Sequence, residues 1–297
     1  MSQLSKKLTG TGVAMVTPFK KDGSVDFDSL GKLTNHIIKG GCEYLVPLGT
    51  TGESATLTAK EKVAVLECIK EKNNNRIPIV LGLGGNNTME VINEFRNFNF
   101  SGISAILSFS PAYNKPTQAG IYQHYKMIAS ESPVPVILYN VPGRTSSNMS
   151  VETTLSLAHD VKNIIGIKEA SGNIEQCMFI IKDKPKDFLV ISGDDSITLP
   201  LVAAGADGVI SVISNAYPKL FSEMVRKSLN HNFTKAQQLH YQLLKLIPML
   251  FSEGNPAGVK CALSAMKICD QFVRLPLVPV SKKLESEIIT FVNKNKN

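Results

Sequence analysis

The sequence predicts an α/β fold, a (β/α)8 TIM barrel with a C-terminal helical extension. Three observations lead there. Eight short apolar runs rich in Val and Ile recur over residues 13–214, nearly continuous in hydrophobicity, as parallel strands covered on both faces are. Segments with helical spacing separate them, at roughly 20 to 33 residues per strand–helix unit, the beat of a barrel. After about residue 225 only helical patterns remain. A length of 297 residues suits one barrel plus an extension, which gives a catalytic barrel over residues 1–224 and a helical domain over 225–297. An open doubly wound sheet is the alternative, and eight units without a clear switch point argue against it.

The elements follow in order. VAMVTPF (13–19) precedes DFDSLGKLTNHIIKGG, where Phe27, Leu30, Leu33 and Ile37 fall at helical spacing and Gly40-Gly41 stop the helix. YLVPLG (44–49) leads through GTTGES into TAKEKVAVLECIKE, in which Thr58 and Glu61 have capping-box spacing. IPIVLGLG (77–84) precedes a helix from Thr88, and SAILSFSPAY (104–113) one that follows Pro116-Thr117. VPVILYNVP (134–142) precedes a helix from Ser150, and IIGIKEA (164–170) one from Asn173. FLVISGDD (188–195) gives way to SITLPLVAAG, with Asp194 and Asp195 as the expected caps. GVISVIS (208–214) is the eighth run. Beyond it, HNFTKAQQLHYQLLKLIPMLF and PAGVKCALSAMKI read as helices packed on the barrel, and the terminal KNKN as a frayed end.

Composition excludes several function classes. The net charge of +7 is spread along the chain rather than clustered, so a nucleic-acid footprint is not indicated, and a mildly basic enzyme acting on small carboxylates fits. No apolar run reaches the ~18 residues of a membrane span, and the N-terminus lacks the apolar region of a signal peptide. Cys42, Cys68, Cys177, Cys261 and Cys269 are odd in number with no C-x-x-C pair, which predicts reduced thiols in a cytoplasmic protein. The histidines are scattered with no H-E-x-x-H, and GLGGNNT (82–88) matches neither nucleotide-binding glycine motif; no metal or cofactor is expected.

Barrel enzymes carry their chemistry at the carboxyl ends of the strands. Those positions hold Thr17, the GTTGES turn, Tyr113, Tyr139 with Arg144, Lys168-Glu169, Gly193-Asp194-Asp195, and Ser211 with Ser214. Lys168 is the anomaly, because it interrupts a segment that otherwise asks to be buried. Burying an ammonium costs several kcal/mol unless it is paired, so burial favours the neutral amine, a nucleophile that forms Schiff bases with ketones. The alternative is an ion pair with Glu169 or another acid at the rim. Tyr139 and Tyr113 end neighbouring runs; each is a proton carrier if a second hydroxyl such as Thr50 is in reach, and otherwise an aromatic at the edge of the core. Arg144 suits a carboxylate, bound by two parallel hydrogen bonds, or a surface ion pair. Asp194-Asp195 suits a metal less well than a helix cap.

GTTGES (49–54), YNVPGRT (139–145), GIKEASGN (166–173) and SGDD (192–195), in this order, resemble the dihydrodipicolinate synthase and N-acetylneuraminate lyase family of class I aldolases. The resemblance runs from about Gly10 to the C-terminal end. It implies a Schiff base between Lys168 and pyruvate, and a homotetramer. YNVPGRT resembles the branch that uses its arginine, here Arg144, for the carboxylate of L-aspartate semialdehyde; N-acetylneuraminate lyases generally lack it. PAYNKP matches a pattern in which the tyrosine, here Tyr113, crosses a dimer interface into the partner's site. The resemblance thus assigns a proton relay to Thr50, Tyr139 and Tyr113, the pyruvate carboxylate to Thr51, and part of the pocket wall to the Gly193 and Ile210 carbonyls. Amides, hydroxyls and a helix dipole would then meet one carboxylate at a glycine-flanked turn. The implied reaction condenses pyruvate with L-aspartate semialdehyde to 4-hydroxy-tetrahydrodipicolinate, in lysine and diaminopimelate biosynthesis, with no metal or nucleotide. The rivals are an N-acetylneuraminate or 2-keto-3-deoxy sugar acid aldolase, and a non-catalytic keto-acid-binding protein on the same barrel. One departure stands out. Lysine-inhibited members often carry a second aromatic where this chain has Ala112, and Ala59 and Lys62 replace histidines seen in some of them, while Asn86 and Glu90 remain suitable polar groups. Alanine cannot stack on a lysine side chain, so weak or absent feedback inhibition by L-lysine is expected.

Overall fold

The computed structural model describes residues 2–295. Its strands are β1 Gly10–Ala14, β2 Tyr44–Val46, β3 Val80–Gly82, β4 Ala105–Phe109, β5 Val136–Asn140, β6 Ile164–Glu169, β7 Leu189–Ser192 and β8 Gly208–Ser211. They lie in the order β2-β1-β8-β7-β6-β5-β4-β3, with every pair parallel. The two ends meet where Leu45 bridges Ile79 and the Gly82 amide donates to the Pro47 carbonyl at 2.9 Å. Sequential order with closure is a barrel, and it rules out the open doubly wound sheet.

Each strand coincides with an apolar run, but β1 starts earlier than the sequence suggests. Glycines argue against strand, and the first apolar run, VAMVTPF, begins only at Val13. Here a Cβ on Gly12 would fall 2.1 Å from the ring of Tyr44, which is fully buried, so only glycine fits beside it. β4 in turn ends at Phe109, short of Tyr113, which sits in a loop with φ +69°.

The outer helices begin where polar caps predict. Thr58 and Glu61 form the capping box, and Thr117, Ser150 and Asn173 cap theirs with side-chain oxygens. The helix from Thr88 is capped by Asn87. In the helix Phe27–Lys39, Leu30, Leu33 and Ile37 are buried as the spacing requires, while Phe27 is exposed in the first turn. Asp194 and Asp195 do not cap. The helix Thr198–Ala203 has no side-chain cap; Asp194 instead closes a local turn by accepting from the Ser196 amide and hydroxyl.

After Ser211 no strand occurs among the described residues. The helices are Pro218–Leu229, within which residue 225 lies, then Phe233–Leu243, Leu246–Phe251, Ala257–Ala265 and Lys282–Lys294. Their buried faces, among them Leu246, Leu250, Val259, Leu263, Ile288 and Val292, belong to the same hydrophobic cluster as the barrel. The KNKN tail is helical through Lys294, and its Lys296 and Asn297 lie outside the described residues. Among the described residues no helix is long and apolar enough to cross a membrane, no cluster of three metal-ligating side chains exists, and all five cysteines are free.

Candidate active site

The site is built at the carboxyl ends of β5 and β6. These strands pair in a register that sets Tyr139 beside Lys168 and Asn140 beside Glu169. Successive side chains of a strand point to opposite faces, so neighbours with adjacent numbers part company. Lys168 turns into the barrel mouth, where its side chain is buried and Nζ lies 4.2 Å from the centroid of the Tyr139 ring. Glu169 turns outward and is held by Asn140 Nδ2, by Gln176 Nε2 at 2.9 Å and by the Ser171 amide at 2.8 Å. The Lys168–Glu169 ion pair that the sequence leaves open is therefore not made, and among the described residues no carboxylate pairs with Lys168.

A cavity of about 510 Å³ opens over Lys168. Thr50, Thr51, Tyr139, Arg144, Lys168 and Gly193 all line it, together with Asp194 and Asn255. Arg144 sits on the short helix Pro142–Thr145 that follows β5; it pairs with no carboxylate among the described residues, so the surface ion pair is not made either.

The GTTGES turn differs from its expected form. Thr50–Gly52 and Ser54–Thr56 are two successive 3-10 turns, and the α-helix begins only at Ala59. The helix dipole is thus aimed from the Thr58 cap, not from the threonine pair, and donors at this turn are local amides and hydroxyls. Thr17 Oγ1 donates to the Gly52 carbonyl at 2.7 Å and holds the turn over the pocket. A Cβ on Gly82 would fall 2.6 Å from the Leu48 and Gly49 backbone, so glycine lets the turn cross β3 closely.

Asp195 lies behind the cavity. It is buried, Oδ2 accepts from the Val212 and Ile213 amides at 3.0 and 2.8 Å, and Oδ1 has no partner among the described residues. Burial pushes its pKa from 3.8 up to about 6, against the pull of those amides. Between those values the native state holds the proton and the unfolded state has lost it. The contribution of Asp195 to stability is therefore fully present below 3.8 and falls as pH rises towards 6. Urea unfolding should show wild type losing about 2–3 kcal/mol relative to Asp195→Asn between pH 4 and pH 7. A constant difference across that range would mean the proton is not held.

Comparison with known proteins bears directly on this site. The dihydrodipicolinate synthetase family model matches residues 7–295. The chain belongs to that family. It is 58% identical, over 95% of its length and 96% of the relative, to the 4-hydroxy-tetrahydrodipicolinate synthase of Flavobacterium psychrophilum. Identity to the synthase of the same name from Parabacteroides distasonis is 53%, covering 92% of each chain. Among solved structures it resembles the chloride-inhibited dihydrodipicolinate synthase from Acinetobacter baumannii complexed with pyruvate, at TM-score 0.93 and 41% identity, over 96% of this chain and 98% of that one.

Two residues assigned from the family resemblance lie apart from the cavity. Tyr113 is 89% exposed and does not line it. Ile210 is buried within β8, paired with Gly12 of β1, and Val212 occupies the wall instead. Conversely, Asn255, unmarked in the sequence, lines the cavity and its Nδ2 donates to Thr51 Oγ1 at 2.9 Å from 204 positions away. Lys260, within a helical segment that reads as packing, meets Glu53 Oε1 through Nζ at 2.6 Å with both side chains buried. Neither contact has a local signal, because each joins the turn after β2 to a segment far along the chain.

Proposed function

We propose that this chain condenses pyruvate with L-aspartate semialdehyde to 4-hydroxy-tetrahydrodipicolinate through a Schiff base on Lys168. The observation that carries the reading is a buried lysine at a barrel strand tip, facing a tyrosine, in a cavity that also holds a threonine turn and an arginine, with no carboxylate paired to either cation among the described residues. The similar structure with pyruvate bound supports the first substrate.

In this reading Thr51 and the turn amides take the pyruvate carboxylate, with Asn255 donating to Thr51 so that the threonine's own proton is free for the acid. The Lys168 amine attacks the keto carbon and water leaves, giving an iminium. The iminium is an electron sink, so the methyl group loses a proton and becomes an enamine. Tyr139, beside Lys168, carries that proton, with Thr50 and the neighbouring subunit's tyrosine completing the relay. The enamine carbon attacks the aldehyde carbon, whose oxygen is protonated to the hydroxyl. Arg144 holds the aldehyde's carboxylate. The amine of the second substrate then attacks the imine carbon, closes the ring and expels Lys168 as the free amine. Gly193, at the end of β7, lines the pocket beside the reacting atoms.

The purified protein should consume pyruvate with L-aspartate semialdehyde and leave N-acetylneuraminate intact. Cleavage of the latter at comparable rate would favour the sugar-acid rival. Arg144, unpaired at the cavity, argues for the semialdehyde. The enzyme acts in the cytoplasm as a homotetramer, and Tyr113 serves the partner's site, which accounts for an aromatic side chain left exposed in the single chain. Co-expressed Tyr113→Phe and Lys168→Ala subunits should regain activity that neither homomer has, since a mixed dimer holds one intact site. No recovery in verified mixed dimers would separate Tyr113 from the reaction. With Ala112 in place of an aromatic, L-lysine should not half-inhibit below millimolar concentration, as a titration of the forward rate will test.

A further inference from the structure

The donor turn after β2 is tied down from the far end of the chain. Glu53 follows Thr50-Thr51-Gly52 directly and has φ +52°, a backbone region sparsely used by residues other than glycine. Its carboxylate is fully engaged: Oε1 takes Lys260 Nζ at 2.6 Å and Oε2 takes the Arg274 amide at 2.9 Å. Lys260 donates again to the Phe272 carbonyl at 2.8 Å and lies 4.1 Å from the centroid of the Phe19 ring. The Arg274 guanidinium donates to the Thr56 and Gly23 carbonyls and to Glu61. Asn255, from the same C-terminal stretch, holds Thr51 Oγ1. Every one of these ties to the barrel therefore lands between Thr51 and Glu61 or on the loop after β1, and none on the β5 and β6 tips.

A buried ion pair is a poor device for stability, because desolvating two charges offsets most of their attraction and an apolar pair of similar volume does as well. Burial indeed pulls the Lys260 pKa below the ordinary lysine value, against the pull of Glu53. What the pair offers is a fixed place for the turn, and misplacing a donor by about 1 Å costs a reaction heavily.

We infer that Lys260 and Asn255 are positioning residues that set the keto-acid-binding turn against Lys168. The inference rests on the functional reading above. It separates the two substrates, since the turn binds the keto acid while Arg144 binds the aldehyde from the short helix after β5.

The test is steady-state kinetics for both substrates, with borohydride trapping of pyruvate and thermal melting, on full-length Lys260→Met, Asn255→Ala and the double variant Glu53→Leu/Lys260→Met. Lys260→Met and Asn255→Ala should each raise the KM for pyruvate and the half-saturating pyruvate for trapping by about tenfold or more, and shift the aldehyde KM less than about threefold. The double variant should regain melting temperature but not pyruvate affinity. If it regains both, the pair is structural filling and the inference falls; it falls equally if both KM values rise together. Should Lys260→Met not fold, the double variant and Asn255→Ala decide by the same criteria. Failure of wild type to trap pyruvate on Lys168 would overturn the functional reading, and this inference with it.

Discussion

Lys168→Ala should abolish turnover, by at least ~10³-fold, while the barrel still folds. The size follows from the role. A residue that becomes covalently bonded to substrate supplies the electron sink for every later step, and losing ~10³-fold corresponds to about 4 kcal/mol of barrier. Folding should survive because Lys168 Nζ has no ion pair to lose among the described residues and its neighbour Glu169 keeps its own three partners. Lys168→Arg is the informative companion: it keeps a long basic side chain, but a guanidinium does not give up its proton and cannot form the imine. Both variants should be silent in one assay where wild type is not. Wild type treated with pyruvate and borohydride should gain the mass of one reduced pyruvate, located on Lys168 by peptide mapping. A wild type that binds pyruvate without this gain, and turns nothing over, is a sensor on the same barrel. Activity above a tenth of wild type in Lys168→Ala would place the nucleophile elsewhere.

The site residues and the contacts that support them were not equally legible in the sequence. Lys168 was, since a lysine inside IIGIKEA contradicts the burial its neighbours demand; its separation from Glu169, which the sequence leaves open, is decided by the alternation along β6 in the folded sheet. The caps Thr58, Thr117, Ser150 and Asn173 were legible for the same reason: capping is local, within three residues. Asp194-Asp195 shows where locality fails. Two acids before a helical pattern look like caps, but Asp195 spends its carboxylate on amides 17 and 18 positions later. Asn255 and Lys260, which reach Thr51 and Glu53 across 204 and 207 positions, leave no periodic trace at all. The gathering of Thr50, Tyr139, Arg144 and Lys168 could be read because the fold places strand tips together; the ties behind them could not, because they depend on how the C-terminal helices dock.

Arg144→Ala carries the second large effect, and it tests substrate choice rather than chemistry. The guanidinium lines the cavity on the turn after Tyr139 and has no carboxylate of its own among the described residues, so its positive charge is available to a bound acid. A bidentate arginine–carboxylate contact is among the stronger hydrogen-bonded pairs, and truncating one partner of such a pair costs about 2–5 kcal/mol. Because Arg144 is solvent-exposed in the open cavity, the lower end is expected, a fall of at least ~30-fold in kcat/KM for L-aspartate semialdehyde. Pyruvate trapping on Lys168 should be unchanged, since the proposed mechanism has the turn after β2 hold the keto acid. The decisive comparison uses 3-aminopropanal, which keeps the aldehyde and the amine but has no carboxylate. Wild type should use it poorly and Arg144→Ala equally poorly, so that the preference for the semialdehyde collapses while the basal reaction stays. Arg144→Lys should restore only part of the preference, as an ammonium offers the charge without the fork. If both aldehydes lose activity in parallel, Arg144 shapes the loop between β5 and β6 rather than reading the carboxylate, and the case for aspartate semialdehyde over a sugar acid loses its main support.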